Sequence, residues 1–240
     1  MTIYDYFWQY MTISILHGDN IGESRKALNT ALDSLKAQGV EITYLDGAKI
    51  TRPDLETALS TGSLFFSQAL VIEGLLSRLR SKVKESLIKL VAGYQGDKQI
   101  FLWDGKEVTK TNITPFGKSA KVAVYKTPAV IFQLLETLRP GNYASAHSLL
   151  FSCSSTLEAG FTFVMLTRHV SNLLIARSGD ASKLIPFTRG RLISQAGMWD
   201  ENKLILFHTE LLRIDRSVKT GTSKLDYLSQ LDLLLATLLN

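Results

Sequence analysis

A single cysteine, Cys153, stands in a chain of 240 residues, which excludes an internal disulfide and is compatible with a reducing compartment. Its neighbours Leu149, Leu150 and Phe151 form an apolar helical stretch, so Cys153 reads as a buried structural thiol rather than a nucleophile. The four histidines, His17, His147, His169 and His208, show no ligand-like spacing to one another or to Cys153, and no metal site is expected. Long apolar runs are also missing: polar residues interrupt them well short of the ~18 that span a bilayer, so no transmembrane segment and no membrane partner is expected. The first residues, Met1-Thr2-Ile3-Tyr4-Asp5-Tyr6-Phe7-Trp8, lack the positive flank and small-residue cleavage site of a secretory signal. A cytoplasmic address is the expectation. Charge of one sign is scarce as well. The net charge is +5, with sixteen Lys or Arg against thirteen Asp or Glu before Thr127 and eleven against nine from there on, so neither half is a basic domain. Residues 106–126 hold a basic stretch, where Lys106, Lys110, Lys118, Lys121 and Lys126 face only Glu107.

With 45% apolar and 20% charged residues, the chain has the composition of an ordinary globular protein with material for one large or two modest cores. Its first half alternates β-branched runs with helical periodicity, which argues for a parallel sheet flanked by helices. Strands are expected at 12–17, 41–45, 69–72, 99–103 and 121–125. A helix over 23–38 carries Leu28, Leu32 and Leu35 and stops at Gly39. Thr51-Arg52-Pro53-Asp54 reads as a capped helix start, and a longer helix over 75–92 places Leu76, Leu79, Val83, Leu87 and Leu90 on one stripe. After Lys126 the strand signals vanish. Thr127-Pro128 reads as an N-cap with proline at the first helical position, followed by Ile131, Leu134, Leu135 and Leu138. Further helices are expected near 143–154, 157–177, 188–197, 201–219 and 225–239. The expected fold is therefore an α/β unit over 1–126 and an all-α unit over 127–240.

Between the second helix and the third strand lies Ser63-Leu64-Phe65-Phe66, three bulky apolar side chains one residue past Gly62. On residue type alone they cap the core as readily as they form a docking wedge. Ser-Leu-Phe after a helix, followed by Gln68-Ala69-Leu70-Val71-Ile72-Glu73, resembles the delta subunit of the bacterial DNA polymerase III clamp loader. The likeness reappears in Ile185-Pro186-Phe187, Gln195-Ala196 and the stretch ending Asp215-Arg216-Ser217-Val218-Lys219-Thr220-Gly221, which is similar to the family's Asp-x-x-x-Lys-x-Gly ending. The resemblance implies an AAA+-like N-terminal domain and a collar-like helical oligomerisation domain. It also implies a wedge of Leu64 and Phe65, introduced by Ser63, that enters an apolar pocket on the sliding clamp (beta); Phe66 stands where the family more often has a small or polar residue, so either Phe65 or Phe66 faces the clamp. The implied partners are the clamp, tau/gamma-type ATPase and delta-prime-like subunits, and primer-template DNA through the assembly. The family's small lid domain has no counterpart between Val122-Ala123-Val124-Tyr125 and Thr127-Pro128. Asp215 and Lys219 are four apart and can pair along a helix, with Gly221 as its stop, which explains them without any partner.

The first strand feeds His17-Gly18-Asp19-Asn20-Ile21-Gly22-Glu23-Ser24-Arg25, where a nucleotide-binding relative would hold its phosphate loop. Such a loop needs glycine amides, a lysine for the terminal phosphate and a hydroxyl for magnesium. Here Gly18 and Gly22 remain, but Glu23-Ser24-Arg25 stands in place of Gly-Lys-Thr, and Glu23 adds negative charge. No Asp-Glu pair closes an apolar strand; Trp103-Asp104-Gly105 offers one acid, read as a turn. Ser14, His17 and Asp19 are close in sequence, but no Gly-x-Ser-x-Gly elbow accompanies them. No ATP hydrolysis, no cofactor and no intrinsic catalysis are expected, and the chain reads as a non-catalytic subunit of the polymerase III holoenzyme. The competing reading is a lidless scaffold of related fold that contacts nucleic acid through residues 106–126; a third is a degenerate nucleotide-binding enzyme using residues 18–25.

Overall fold

The computed structural model describes residues 12–62 and 67–240. The chain forms two compact units, Met1–Thr127 and Pro128–Asn240. In the first, five parallel strands alternate with helices: β1 (Ile13–His17), α1 (Ile21–Ala37), β2 (Glu41–Asp46), α2 (Arg52–Ser60), β3 (Gln68–Glu73), α3 (Lys82–Ala92), β4 (Gln99–Asp104), the short α4 (Lys110–Ile113) and β5 (Ala120–Val124). The sheet order is β2-β3-β4-β1-β5, and Ile15 of β1 lies between Leu102 of β4 and Val122 of β5. Strands covered by helices on both faces must be apolar on both. All five residues of β1 and the middle four of β3 are accordingly buried, whereas the edge strand β2 keeps only Ile42 and Leu45 partly buried. Alternate side chains divide the core. Ile13, Ile15, Leu70, Ile72, Ile100 and Leu102 meet Leu55, Leu87, Ile88 and Val91 on one face, while Leu16, Val71 and Phe101 meet Leu28, Leu32 and Leu35 of α1 on the other.

Local chemistry sets the ends of these helices. The Asn20 side chain accepts from Glu23 N to start α1, and Gly39, at φ 78°, ends the turn beyond it. Thr51 and Asp54 form a reciprocal capping box at α2. The expected helix over 75–92 is shorter than its periodicity suggests, beginning only at Lys82 behind the Ser81 cap. Residues 75–77 are instead a turn, followed by irregular chain up to Ser81. The Asp104 carboxylate accepts from Leu76 N (3.2 Å) and Ser77 N (2.8 Å), and Lys84 Nζ donates to Leu76 O (2.7 Å) and Arg78 O (2.8 Å). Side-chain groups thereby take the backbone partners a helix would use. Leu79 and Val83 are exposed in consequence, and the buried stripe of α3 is Lys84, Leu87, Ile88 and Val91.

The second unit is all helical: α5 (Ala129–Thr137), α6 (Tyr143–Ser154), α7 (Ala159–Arg177), α8 (Pro186–Ala196), α9 (Glu201–Lys219) and α10 (Tyr227–Leu239). Thr127 is not the cap of α5; Pro128 occupies that position without a side-chain bond, and Thr127 N donates to Asp19 Oδ1 at 2.7 Å. The last helix begins two residues later than its leucines suggest, at Tyr227, because Asp226 caps it through Ser229 N. Leu134, Cys153, Leu166, Trp199, Phe207, Leu211 and Leu235 share one core. Trp199 Nε1 and Gln195 Nε2 both donate to Leu138 O and so close the end of α5. Among the described residues one helix, α7, reaches the length and composition that could cross a membrane, which its interrupted sequence did not suggest. Its Phe163, Leu166, Val170 and Leu173 are buried in this unit's core, as in the core helix of any helical domain.

Candidate functional site

In a parallel sheet ligands characteristically meet the carboxyl ends of the strands. At that edge the loop after β1 is tied down by its own chain. Gly18 sits at φ 141°, and a Cβ there would stand 1.9 Å from Tyr125 O, so only glycine permits the approach. Gly18 N donates to Asp104 O (3.3 Å) and Lys106 O (3.2 Å), Asn20 N to Tyr125 O (3.1 Å) and Ser24 N to Asn20 O (3.1 Å), while Glu23 N takes the Asn20 cap. The amides of Gly18, Asn20, Glu23 and Ser24 are thus committed to protein acceptors. Arg25 reaches from the first turns of α1 to Glu73, the last residue of β3, with two parallel bonds of 2.5 and 3.0 Å. Its guanidinium lies 3.6 Å from the centre of the Trp103 ring, and Trp103 Nε1 donates to Ser24 Oγ at 3.2 Å. The Ser24 hydroxyl is thus taken by Ile21 O and Trp103, and the Arg25 cation by Glu73. Gly22 meets no comparable constraint, since a Cβ there would touch only Asn20 Oδ1 at 3.9 Å.

Beneath this edge lies a buried polar group. Asp104 is the last residue of β4 and fully buried, not a surface turn. Burial raises its pKa above the ordinary carboxyl value, opposed by the Ser77 and Leu76 hydrogen bonds and the Lys84 charge. Burial likewise lowers the pKa of Lys84, with Asp104 opposing. His17 Nδ1 accepts from Val108 N at 3.1 Å, which fixes the neutral ring with its proton on Nε2. Burial lowers the pKa of His17, opposed by the carboxylates of Asp104 and Glu107 and aided by Lys126. Lys84, Glu73 and Trp103 carry this arrangement, and none stood out in the sequence. A charged residue at the end of an otherwise apolar strand was the available signal at Glu73 and Asp104.

Ser63, Leu64, Phe65 and Phe66 lie outside the described residues. The residues on either side of them belong to the opposite, amino-terminal edge of the sheet. Lys98, just ahead of β4, is buried and donates through Nζ to Ala58 O at 2.6 Å and to Thr61 O. Ser67 O accepts from Glu41 N at 2.9 Å. In the helical unit, Lys219 Nζ lies 2.7 Å from Asp215 Oδ2, Tyr227 donates to Asp215 Oδ1 at 3.1 Å, and Gly221 takes φ 66° after the helix. The basic stretch over 106–126 is not one patch. Lys106 and Lys110 follow the carboxyl end of β4, Lys118 and Lys121 flank the amino end of β5, and Lys126 pairs with Glu107 at 3.0 Å. Among the described residues no three His, Cys, Asp or Glu side chains gather as metal ligands would.

No protein-family model matches the chain, and no curated protein matches it. Among solved structures it is similar to the Bacillus subtilis DNA clamp loader delta protein, at 12% identity and a TM-score of 0.44 over 95% of each chain. It is also similar to a DNA polymerase III gamma subunit-related protein of Thermotoga maritima, at 13% identity and a TM-score of 0.37 over 98% of this chain and 96% of that one. A Drosophila ORC structure with poly(dA/dT) DNA and Cdc6 follows at 11% identity and 0.34, covering 72% of this chain and 38% of the other. At these scores none of the likenesses carries an argument about function.

Proposed function

We propose that this chain is a non-catalytic, delta-like clamp-loader subunit of AAA+-like fold, which binds a sliding clamp through Leu64 and Phe65 and assembles with ATPase subunits through its helical unit. The observation that carries the reading is the self-occupied carboxyl edge. Arg25 bound to Glu73 and the Gly18 loop tied to Tyr125 support reading the α/β unit as a scaffold rather than a nucleotide site. The sequence likeness around Ser63 and Asp215 supplies the kind of scaffold. Burying two large apolar side chains in a clamp pocket contributes roughly 1.5–3 kcal/mol each, the size of an interface hot spot. A partner that binds the open clamp better than the closed one shifts the ring toward opening, and resetting draws on the ATPase partners.

The test is surface-immobilised sliding clamp titrated with the wild-type chain, Leu64→Ala/Phe65→Ala and Phe66→Ala. The reading expects at least a hundredfold loss for the double variant, from the lost burial of two side chains, with normal thermal unfolding. Equal binding by wild type and double variant refutes it. Strongly salt-dependent DNA binding without clamp binding would instead favour the scaffold that contacts nucleic acid.

A further inference from the structure

We infer that residues 105–109, the connection from β4 to α4, form a strap across the carboxyl edge of the sheet that neutral His17 latches and protonated His17 releases. The connection has no regular structure and runs beside the loop after β1. Gly18 N donates to Lys106 O, Lys126 Nζ lies 3.0 Å from Glu107 Oε1, and the Val108 side chain is buried in the core of this unit. The tie that can be switched is the buried 3.1 Å bond from Val108 N to His17 Nδ1. Only a ring without a proton on Nδ1 accepts it. The other ring nitrogen, Nε2, has no hydrogen-bond partner among the described residues, and His17 is 2% exposed. A second proton therefore sets two donors, Nδ1–H and Val108 N–H, against each other and leaves Nε2–H without an acceptor, away from water.

The surroundings of the ring set the direction. Burial, the largest influence, favours the neutral form; Asp104 at the end of β4 and Glu107 in the strap favour the imidazolium, and Lys126 beyond β5 opposes it. The closed strap thus holds His17 below its ordinary value of 6.5, and by linkage protonation favours the open strap. The latch holds above pH 6.5 and is lost as pH falls toward the value of the closed state. Opening frees Gly18 N from Lys106 O and brings water to His17.

The experiment follows amide hydrogen exchange in the full chain between pH 7.5 and 5.0, each rate being divided by that of an unstructured peptide at the same pH. Val108 reports the strap; Leu76 and Ser77, bound to Asp104, report the neighbouring buried carboxylate. Wild-type protection at Val108 is expected to fall about tenfold on acidification, the weight of one hydrogen bond, while Leu76 and Ser77 stay protected. In His17→Asn, whose Oδ1 replaces Nδ1 as acceptor without titrating, Val108 is expected to stay protected throughout. Glu107→Gln and Lys126→Gln break the same ion pair, yet the first should move the midpoint to lower pH and the second to higher pH, because one charge favours the imidazolium and the other opposes it. These two variants decide the matter if His17→Asn does not fold. Wild-type protection at Val108 that ignores pH overturns the inference, as does an equal fall in His17→Asn or a shift of both ion-pair variants in one direction. A parallel fall at Leu76 and Ser77 also overturns it, by making Asp104 the trigger.

Discussion

Replacing Arg25 by Ala tests whether the carboxyl edge of the sheet is closed by its own ion pair. Two charge-assisted bonds to one carboxylate, each worth about 1.5–3 kcal/mol when desolvated, are discounted here because the two side chains remain 35% and 32% exposed. A coupling of about 1–2 kcal/mol between Arg25 and Glu73 is the result. Stacking of the guanidinium on Trp103 adds about 0.5–1 kcal/mol, which the Glu73→Ala variant retains. The expectation is therefore a loss of about 2 kcal/mol for Arg25→Ala, rather less for Glu73→Ala, and a double variant no worse than Arg25→Ala by more than about 0.5 kcal/mol. Urea unfolding in a Trp8→Phe, Trp199→Phe background, where Trp103 is the remaining tryptophan, reads the α/β unit, and the double-mutant cycle isolates the pair.

Saturating magnesium-ATP provides the complementary arm. A ligand at 100 times its dissociation constant stabilises by about 2.7 kcal/mol, easily seen as a shift in urea midpoint. No shift is expected for wild type, Arg25→Ala or Glu73→Ala, since the Gly18, Asn20 and Ser24 amides stay bound to Asp104, Lys106, Tyr125 and Asn20 in all three. A coupling below about 0.3 kcal/mol, or a nucleotide-dependent midpoint in the wild type, refutes the closed-edge argument and returns residues 18–25 to the list of ligand sites.

Asp104→Ala strips the Leu76 and Ser77 amides of their acceptor and removes the carboxylate charge that favours the Lys84 ammonium, so a loss of about 2–4 kcal/mol is expected; a wild-type thermal midpoint in calorimetry contradicts it. Burial lowers the pKa of His17 in the first unit and His169 in the second below 6.5, so below pH 6.5 the unfolded chain binds more protons at these sites than the folded one. Their contribution is present above pH 6.5 and lost as pH falls toward the folded values; urea midpoints at pH 7.5 and 5.0 should show the decline, and His169→Gln should flatten it for the helical unit. The Cys153 thiol, pushed up from 9.0 to about 11 by burial, is expected to react with a maleimide at pH 8 only as fast as the helical unit opens, and reaction at the rate of a free thiol would show it accessible.

The elements legible in the sequence are those whose ends are set by neighbouring residues. Gly39 stops α1, although its start at Ile21 behind the Asn20 cap falls two residues before the expected 23; Thr51 with Asp54 starts α2, and the 143–154 and 201–219 periodicities match α6 and α9 to the residue. Illegible features depended on partners far along the chain. The stretch over 75–81 has good helical spacing, and only the carboxylate of Asp104, about 28 residues away, and the ammonium of Lys84 overrule it. The vacancy of the phosphate-loop roles was readable from Glu23-Ser24-Arg25, but the partner Arg25 takes was not, because Glu73 lies 48 residues on. The burial of Lys98 left no local sign for the same reason: its carbonyl partners, Ala58 and Thr61 at the end of α2, lie 37 to 40 positions earlier.

These long-range pairs change where the α/β unit can meet a partner. A sheet of this kind offers a loop at each strand's carboxyl end, and here the central loop is spent on internal bonds, with a glycine at position 18 that any side chain would force apart. Binding at that edge would have to break the Arg25–Glu73 pair and reclaim amides already satisfied, at a cost of several kcal/mol before any contact is gained. The amino-terminal edge carries no such cost. There the chain exits α2 under the hold of Lys98 and re-enters the sheet at Ser67 under the hold of Glu41, and the intervening sequence is the apolar Leu64-Phe65-Phe66. The two edges have to be tested separately, because a variant at one should leave the other unchanged.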